Sequence, residues 1–163
     1  MDSYTFPYQQ YLKAELPADM QQLVEAAEAA TKGAYAPYSN LKVGASILME
    51  DGNIVTGFNQ ENAAFPVGIC AERAILSTID LAKGTKIKAI AVTYSSDNNQ
   101  NEKPIAPCGM CRQSILEMQQ RQQAPIAVYM CSPKGLVIMI ENAEFLLPFS
   151  FGSDDLPTYK PQV

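Results

Sequence analysis

Pro107-Cys108-Gly109-Met110-Cys111-Arg112, read together with Cys70-Ala71-Glu72-Arg73 upstream, holds three of the four cysteines in the chain and puts one carboxylate two residues after the first of them. Pro107 suits a helix start. Cys108 and Cys111, three apart, then lie on one face of the first turn. Cys70 stands just before a second run of helical spacing, so two helix N-termini would bring the positive ends of their dipoles, and free backbone N–H groups, next to the sulfurs. A lone Cys-x-x-Cys is a weak signal, because buried free cysteines and redox pairs are common. Here a third cysteine, a neighbouring Glu and flanking arginines accompany it.

The chain has no histidine. A metal site must therefore be built from cysteine and carboxylate, and a proton shuttle from Glu, Asp, Lys, Tyr or Cys. A catalytic zinc uses three protein ligands and keeps a fourth position open. Cys70, Cys108 and Cys111 are the expected ligands of one Zn²⁺ per subunit, with Glu72 as the acid/base beside the open position. Three thiolates and Zn²⁺ sum to a negative charge, which weakens the metal as a Lewis acid. Arg73 and Arg112, each directly after a motif segment, are the expected source of charge compensation at the thiolates.

Outward from this site the chain alternates helical and extended patterns. Pro17 opens an amphipathic helix whose apolar positions Met20, Leu23, Val24, Ala27 and Ala30 continue toward Ala34 and stop before Pro37. Residues 42–49 and 54–58 read as two strands joined by the turn residues Glu50-Asp51-Gly52-Asn53. Residues 59–69 form an ordered loop leading to Cys70, and a helix is expected over 71–82, closed by Lys83-Gly84. A strand over 87–94, a polar mobile loop over 95–103, a helix from Pro107 to about residue 122, and strands over 126–130 and 136–140 follow. The order predicts a three-layer α/β fold, a mixed five-stranded sheet with helices on both faces. One domain spans 1–163, with an N-terminal arm (1–16) lying on the surface of the domain or of a neighbouring subunit, a catalytic domain (17–156) and a tail (157–163).

With 163 residues, 47% of them hydrophobic, the chain can bury a core without disulfide staples. The formal charge of −5 offers no basic face for phosphates, which argues against polymeric nucleic acid as a partner. No apolar run approaches the roughly 20 residues that span a bilayer. Met1-Asp2-Ser3-Tyr4 lacks the basic start of a signal peptide, so a cytoplasmic location, away from membranes, is expected.

Cys-Ala-Glu-Arg at 70–73 with Pro-Cys-Gly-x-Cys-Arg at 107–112 resembles the cytidine deaminase family, in its small homotetrameric branch with three cysteine ligands. Tyr35-Ala36-Pro37-Tyr38-Ser39, Val43-Gly44-Ala45, Asn59-Gln60-Glu61-Asn62-Ala63 and Leu146-Leu147-Pro148 also fall where that family has similar segments. The resemblance implies hydrolytic deamination of cytidine and 2′-deoxycytidine to uridine, 2′-deoxyuridine and ammonia, in pyrimidine salvage. It implies that Glu72 moves protons to N3 and to the leaving amine, that the Ala71 N–H holds O2, and that Asn59 and Glu61 bind a ribose hydroxyl. Leu41 and Ala63 would line the base and sugar. Phe65 and Phe151 would reach the site of an adjacent subunit in a homotetramer.

Two residues depart from the family pattern. Leu41 stands where Phe is common, which removes an aromatic contact worth ~1 kcal/mol. Phe65 stands where Tyr is common. Two other readings share the same residues. One is a deaminase of a modified aminopyrimidine nucleoside or nucleoside antibiotic. The other is a structural zinc module that binds a partner, which requires a fourth ligand. Cys131, in the apolar strand that begins near Ala127, has no companion motif and reads as a core thiol.

Overall fold

The computed structural model describes residues 1–95 and 103–158. Most of the polar loop expected over 95–103, and the end of the tail, therefore lie outside the described residues. The elements are β1 (Gln9–Leu12), α1 (Ala18–Ala30), β2 (Lys42–Met49), β3 (Ile54–Phe58), α2 (Ala71–Leu76), β4 (Ile87–Ser95), α3 (Gly109–Gln122), β5 (Ala127–Cys131) and β6 (Leu136–Ile140). The strands form one mixed sheet in the order β1-β6-β5-β4-β2-β3. Only the β4–β5 pair is parallel, because α3 carries the chain across between them.

Alternation along the central strands builds the three layers. Ile90 and Val92 of β4 and Val128 and Met130 of β5 point to the face covered by α2 and α3, where Ala71, Ile75, Ile115 and Met118 meet them. Ala89, Ala91, Tyr129 and Cys131 point to the opposite face, against Met20, Leu23, Val24 and Ala27 of α1. Strands buried on both faces read as continuous apolar runs.

The sheet has six strands, one more than expected. The addition is β1, from the arm, which pairs antiparallel with β6 from Gln9↔Met139 to Leu12↔Leu136. Its residues are almost all exposed, so no hydrophobic alternation marks it in sequence. The strand exists because the edge of β6 offers free backbone groups. Ahead of it, Tyr4 packs near Phe149 and Phe6 stacks on Phe145, which fastens the arm to the C-terminal segment of the same chain.

The second helix is shorter than expected. It ends at Leu76, where the Ser77 and Thr78 hydroxyls donate to the Ala74 and Ile75 carbonyls at 2.8 and 2.7 Å. Such back-bonding competes with helix continuation. A separate turn at Leu81–Lys83 follows, capped by Asp80, and Gly84 closes it with φ of 80°.

Gly44 sets how closely α1 approaches the sheet. A Cβ there would stand 2.1 Å from the Ala27 carbonyl oxygen and 2.8 Å from the Thr31 amide nitrogen. Both obstacles are backbone, so relief requires moving the helix. Gly44→Ala is expected to lower stability by about 2–3 kcal/mol, read from a urea midpoint shift at unchanged m. A variant as stable as the parent would show that the two elements do not bear on each other as described.

Candidate active site

Each motif cysteine of the 70 and 108 positions caps a helix. Cys70 precedes α2 and its carbonyl accepts from Ala74 N at 3.0 Å; Cys108 precedes α3 and accepts from Arg112 N at 2.9 Å. Both hold extended backbone angles, as N-cap residues do. α2 is seated by Gly57 of β3, where any Cβ would strike the Ile75 side chain at 2.5 Å. α3 is held by two buried glutamines. Gln122 bonds both N–H and C=O of Ile87 at 2.9 Å, and Gln119 accepts from Ile126 N and Ala143 N at 2.9 and 3.1 Å.

This brings the three sulfurs together. Cys70 Sγ lies 3.7 Å from Cys108 Sγ, which lies 3.4 Å from Cys111 Sγ, and all three fall within 4.8 Å of one another. Tetrahedral zinc–thiolate bonding separates sulfurs by about 3.8 Å. The donor set and its spacing fit a zinc ion. All four cysteines are free thiols. Within the cluster Cys70 is the acidic member, lowered to about 6 by hydrogen bonds from Cys111 and Cys108 and by the Arg73 charge. Cys111, buried and acting as donor to Cys70, is raised and keeps its proton until a metal replaces it. Cys131 is buried on the far face of the sheet among α1 contacts and is raised to about 12 by that burial. It supplies no fourth ligand.

Glu72 is 4% exposed and lines the cavity that contains Cys70 and Cys108. Burial raises its pKa above the ordinary carboxylate range, and negative charge at Cys70 pushes the same way. A carboxyl so placed holds its proton to higher pH than a surface glutamate does.

The cavity, about 660 Å³, is of the size that takes small organic ligands. Leu41, Val43, Val92 and Ile105 give it apolar walls, and Asn59 and Glu61 line it away from the sulfurs in sequence. Asn59 Oδ1 accepts from Val43 N at 2.8 Å and its Nδ2 donates to Leu41 O at 3.0 Å. Glu61 accepts from Tyr38 N at 2.9 Å, from Ser39 N at 3.3 Å and from the Ser39 hydroxyl. Those donors hold its pKa below the usual value.

Other expected site residues are placed differently. Ala71 is fully buried at the first position of α2. Phe65 lines the cavity of its own chain, edge-on to Tyr38 with ring centroids 5.6 Å apart. Ala63 and Phe151 do not line it, and Phe151 is 62% exposed. Arg73 lies 3.9 Å from Met110 Sδ and acts on Cys70 through charge. Arg112 donates to the Pro107 and Leu146 carbonyls at 2.9 and 3.0 Å, tying the motif to the turn after β6. Among the described residues neither guanidinium donates a hydrogen bond to a cysteine sulfur. Tyr38 and Ser39, from a segment similar to the family's but given no role by the motifs, line the cavity, as do Ile105 and Ala106. The signal for the last two was their position directly before Pro107.

Three thiols gathered at two helix N-termini beside a buried carboxylate, at the end of a ligand-sized cavity, define a zinc enzyme that works by acid–base chemistry. Residues 17–126 match the cytidine and deoxycytidylate deaminase zinc-binding region. Cytidine deaminase of Halalkalibacterium halodurans is 37% identical over 138 residues, 85% of this chain and 98% of that protein. The crystal structure of cytidine deaminase from Burkholderia pseudomallei superposes with a TM-score of 0.67 at 40% identity, covering 80% of this chain and 98% of that one. The crystal structure of cytidine deaminase from Mycobacterium tuberculosis gives a TM-score of 0.63 at 32% identity over 83% of this chain and 99% of that one. The chain belongs to the cytidine deaminase family.

Proposed function

We propose that the chain hydrolyses the exocyclic amine of cytidine and 2′-deoxycytidine, giving uridine or 2′-deoxyuridine and ammonia. The observation that carries this reading is one cavity that joins Cys70, Cys108 and the buried Glu72 to Asn59 and Glu61. Cys70, Cys108 and Cys111 would hold zinc, which would supply Lewis acidity and make a water more acidic, its pKa falling from about 16 toward about 7. Glu72 takes the proton of the water that adds to C4 and delivers it to N3. Glu72 then takes the proton of the new C4 hydroxyl and passes it to the amine as the C4–N4 bond breaks, so that C4=O forms, N3 keeps its hydrogen and ammonia leaves. The Ala71 N–H, at the first turn of α2 where amides have no intrahelical acceptor, holds O2. Leu41 packs on the base. Arg73 offsets the charge of the thiolate set from a distance rather than by direct bonding.

The sugar end has matching valence. Asn59 uses one amide hydrogen on Leu41 O and keeps another, and Glu61 is an ionised acceptor. A single hydroxyl, which both donates and accepts, satisfies the two. A free base offers nothing there and leaves both groups unpaired. Phe65, Phe149 and Phe151 are exposed at 73%, 98% and 62%, and such exposed rings are suited to burial against further copies in a homotetramer whose sites are completed across subunits. No described helix is long and apolar enough to cross a membrane, and pyrimidine salvage in the cytoplasm is the proposed setting.

The test is loss of the cytosine ultraviolet band on incubation with cytidine, 2′-deoxycytidine and cytosine. Turnover of both nucleosides, with cytosine slower by about 10³-fold or more, is the expected result. Turnover of none, or of cytosine as well as the nucleosides, defeats the reading.

A further inference from the structure

The carboxylate of Glu61 is held by the chain's own loop before any ligand arrives. Its Oε2 accepts from Tyr38 N and Ser39 N, and its Oε1 accepts from the Ser39 hydroxyl. That hydroxyl in turn accepts from Leu41 N at 3.0 Å, so its own hydrogen is committed to Glu61. Asn40, between them, has φ of 57°, a left-handed conformation that asparagine tolerates, and this turn folds Leu41 N back onto Ser39 Oγ. An ionised carboxylate offers about four acceptor positions. Three are filled, and the vacancy is on Oε1.

We propose that Ser39 is the positioning residue of the sugar end: its hydroxyl leaves Glu61 one acceptor position, fixes where that position points, and couples it to the loop that carries Leu41 against the base. The proposal rests on the nucleoside reading above. Ser39 touches no reacting atom and acts through Glu61. Its removal frees a second acceptor position on Oε1 and lets the carboxylate rotate. The consequence falls on substrate binding, not on the chemistry at C4, because among the described residues Glu72 and the cysteines share no hydrogen bond with this loop.

The experiment measures kcat and KM for cytidine in the zinc-loaded protein with Ser39→Ala, Ser39→Thr, Glu61→Ala and the Ser39→Ala/Glu61→Ala pair. Ser39→Ala is expected to raise KM about tenfold, the scale of a hydrogen bond to a charged group, with kcat within about twofold. Ser39→Thr, which keeps the hydroxyl, is expected to stay within about threefold of the parent in KM. In the Glu61→Ala background the same Ser39→Ala change is expected to move KM by less than about twofold, since coupled residues are not additive. An unchanged KM in Ser39→Ala, a threonine variant as impaired as alanine, or an equal loss with and without Glu61 each overturns the proposal. These results are distinguishable from failure of the nucleoside reading, in which the parent protein itself turns over no nucleoside.

Discussion

Glu72→Gln is expected to lower kcat for cytidine by about 10³-fold, within the 10²–10⁴ range of a single general acid/base, while zinc content stays at the parent level. Gln keeps the shape of the side chain but can neither accept the water's proton nor deliver one to the amine. Glu72 is outside the group of three sulfurs, so the ligand set is untouched. The substitution also removes a carboxyl whose charged form is disfavoured by burial, so the thermal midpoint at neutral pH should hold or rise. This combination separates a proton carrier from a packing residue. A packing residue would lose stability and activity together. Turnover within about tenfold of the parent, measured by the decay of the cytosine band, would remove Glu72 from the chemistry.

Much of this site is local in sequence, which is why it was legible there. Cys108 and Cys111 have their relation fixed by the first turn of α3, and Cys70 and Glu72 have theirs fixed by the first turn of α2; each helix begins at its cysteine, and packing of the two helices joins the pairs. The strands at Lys42–Met49, Ile54–Phe58 and Leu136–Ile140 stand where their β-branched runs and turn residues indicate. What was not legible depends on partners distant along the chain. β1 has no pattern of its own and is specified by the free edge of β6. Gln119 and Gln122 sit in a glutamine-rich patch that looks like solvated helix, yet both are buried and bond the ends of two strands. Arg112 reads as a thiolate neighbour from its place in the motif, whereas the folded chain offers it the Leu146 carbonyl, 34 residues on. The hold of Ser39 on Glu61 spans 22 residues and has no periodic signature.

Cys111→Ala should abolish both zinc retention and activity, and Cys131→Ala should abolish neither. Structural zinc in four-ligand peptide sites contributes about 10–16 kcal/mol, or about 3–4 kcal/mol per ligand, so losing one thiolate weakens binding by about 10²–10³-fold. With three protein ligands to begin with, two sulfurs remain, too few to hold the ion through gel filtration against a mild chelator. Cys111 is fully buried on α3, and its loss would leave Cys70 and Cys108 with only each other, 3.7 Å apart, among the three sulfurs. Zinc also binds the native state alone, so chelation of the parent should lower its thermal midpoint, whereas the same chelator should leave the midpoint of Cys111→Ala where it was. Cys131 is the control that makes the pair decisive. It has the same chemistry, but it packs on the α1 face of the sheet, and its thiol donates to the Tyr129 carbonyl at 3.7 Å. Its truncation deletes one sulfur from a packed core, at about 1–2 kcal/mol of stability, with one zinc per chain retained. Zinc at parental stoichiometry in Cys111→Ala would break the ligand assignment. Loss of zinc in Cys131→Ala would mean a closed four-sulfur site, which has no position for the attacking water, and the chain would then be a structural zinc module instead of a deaminase.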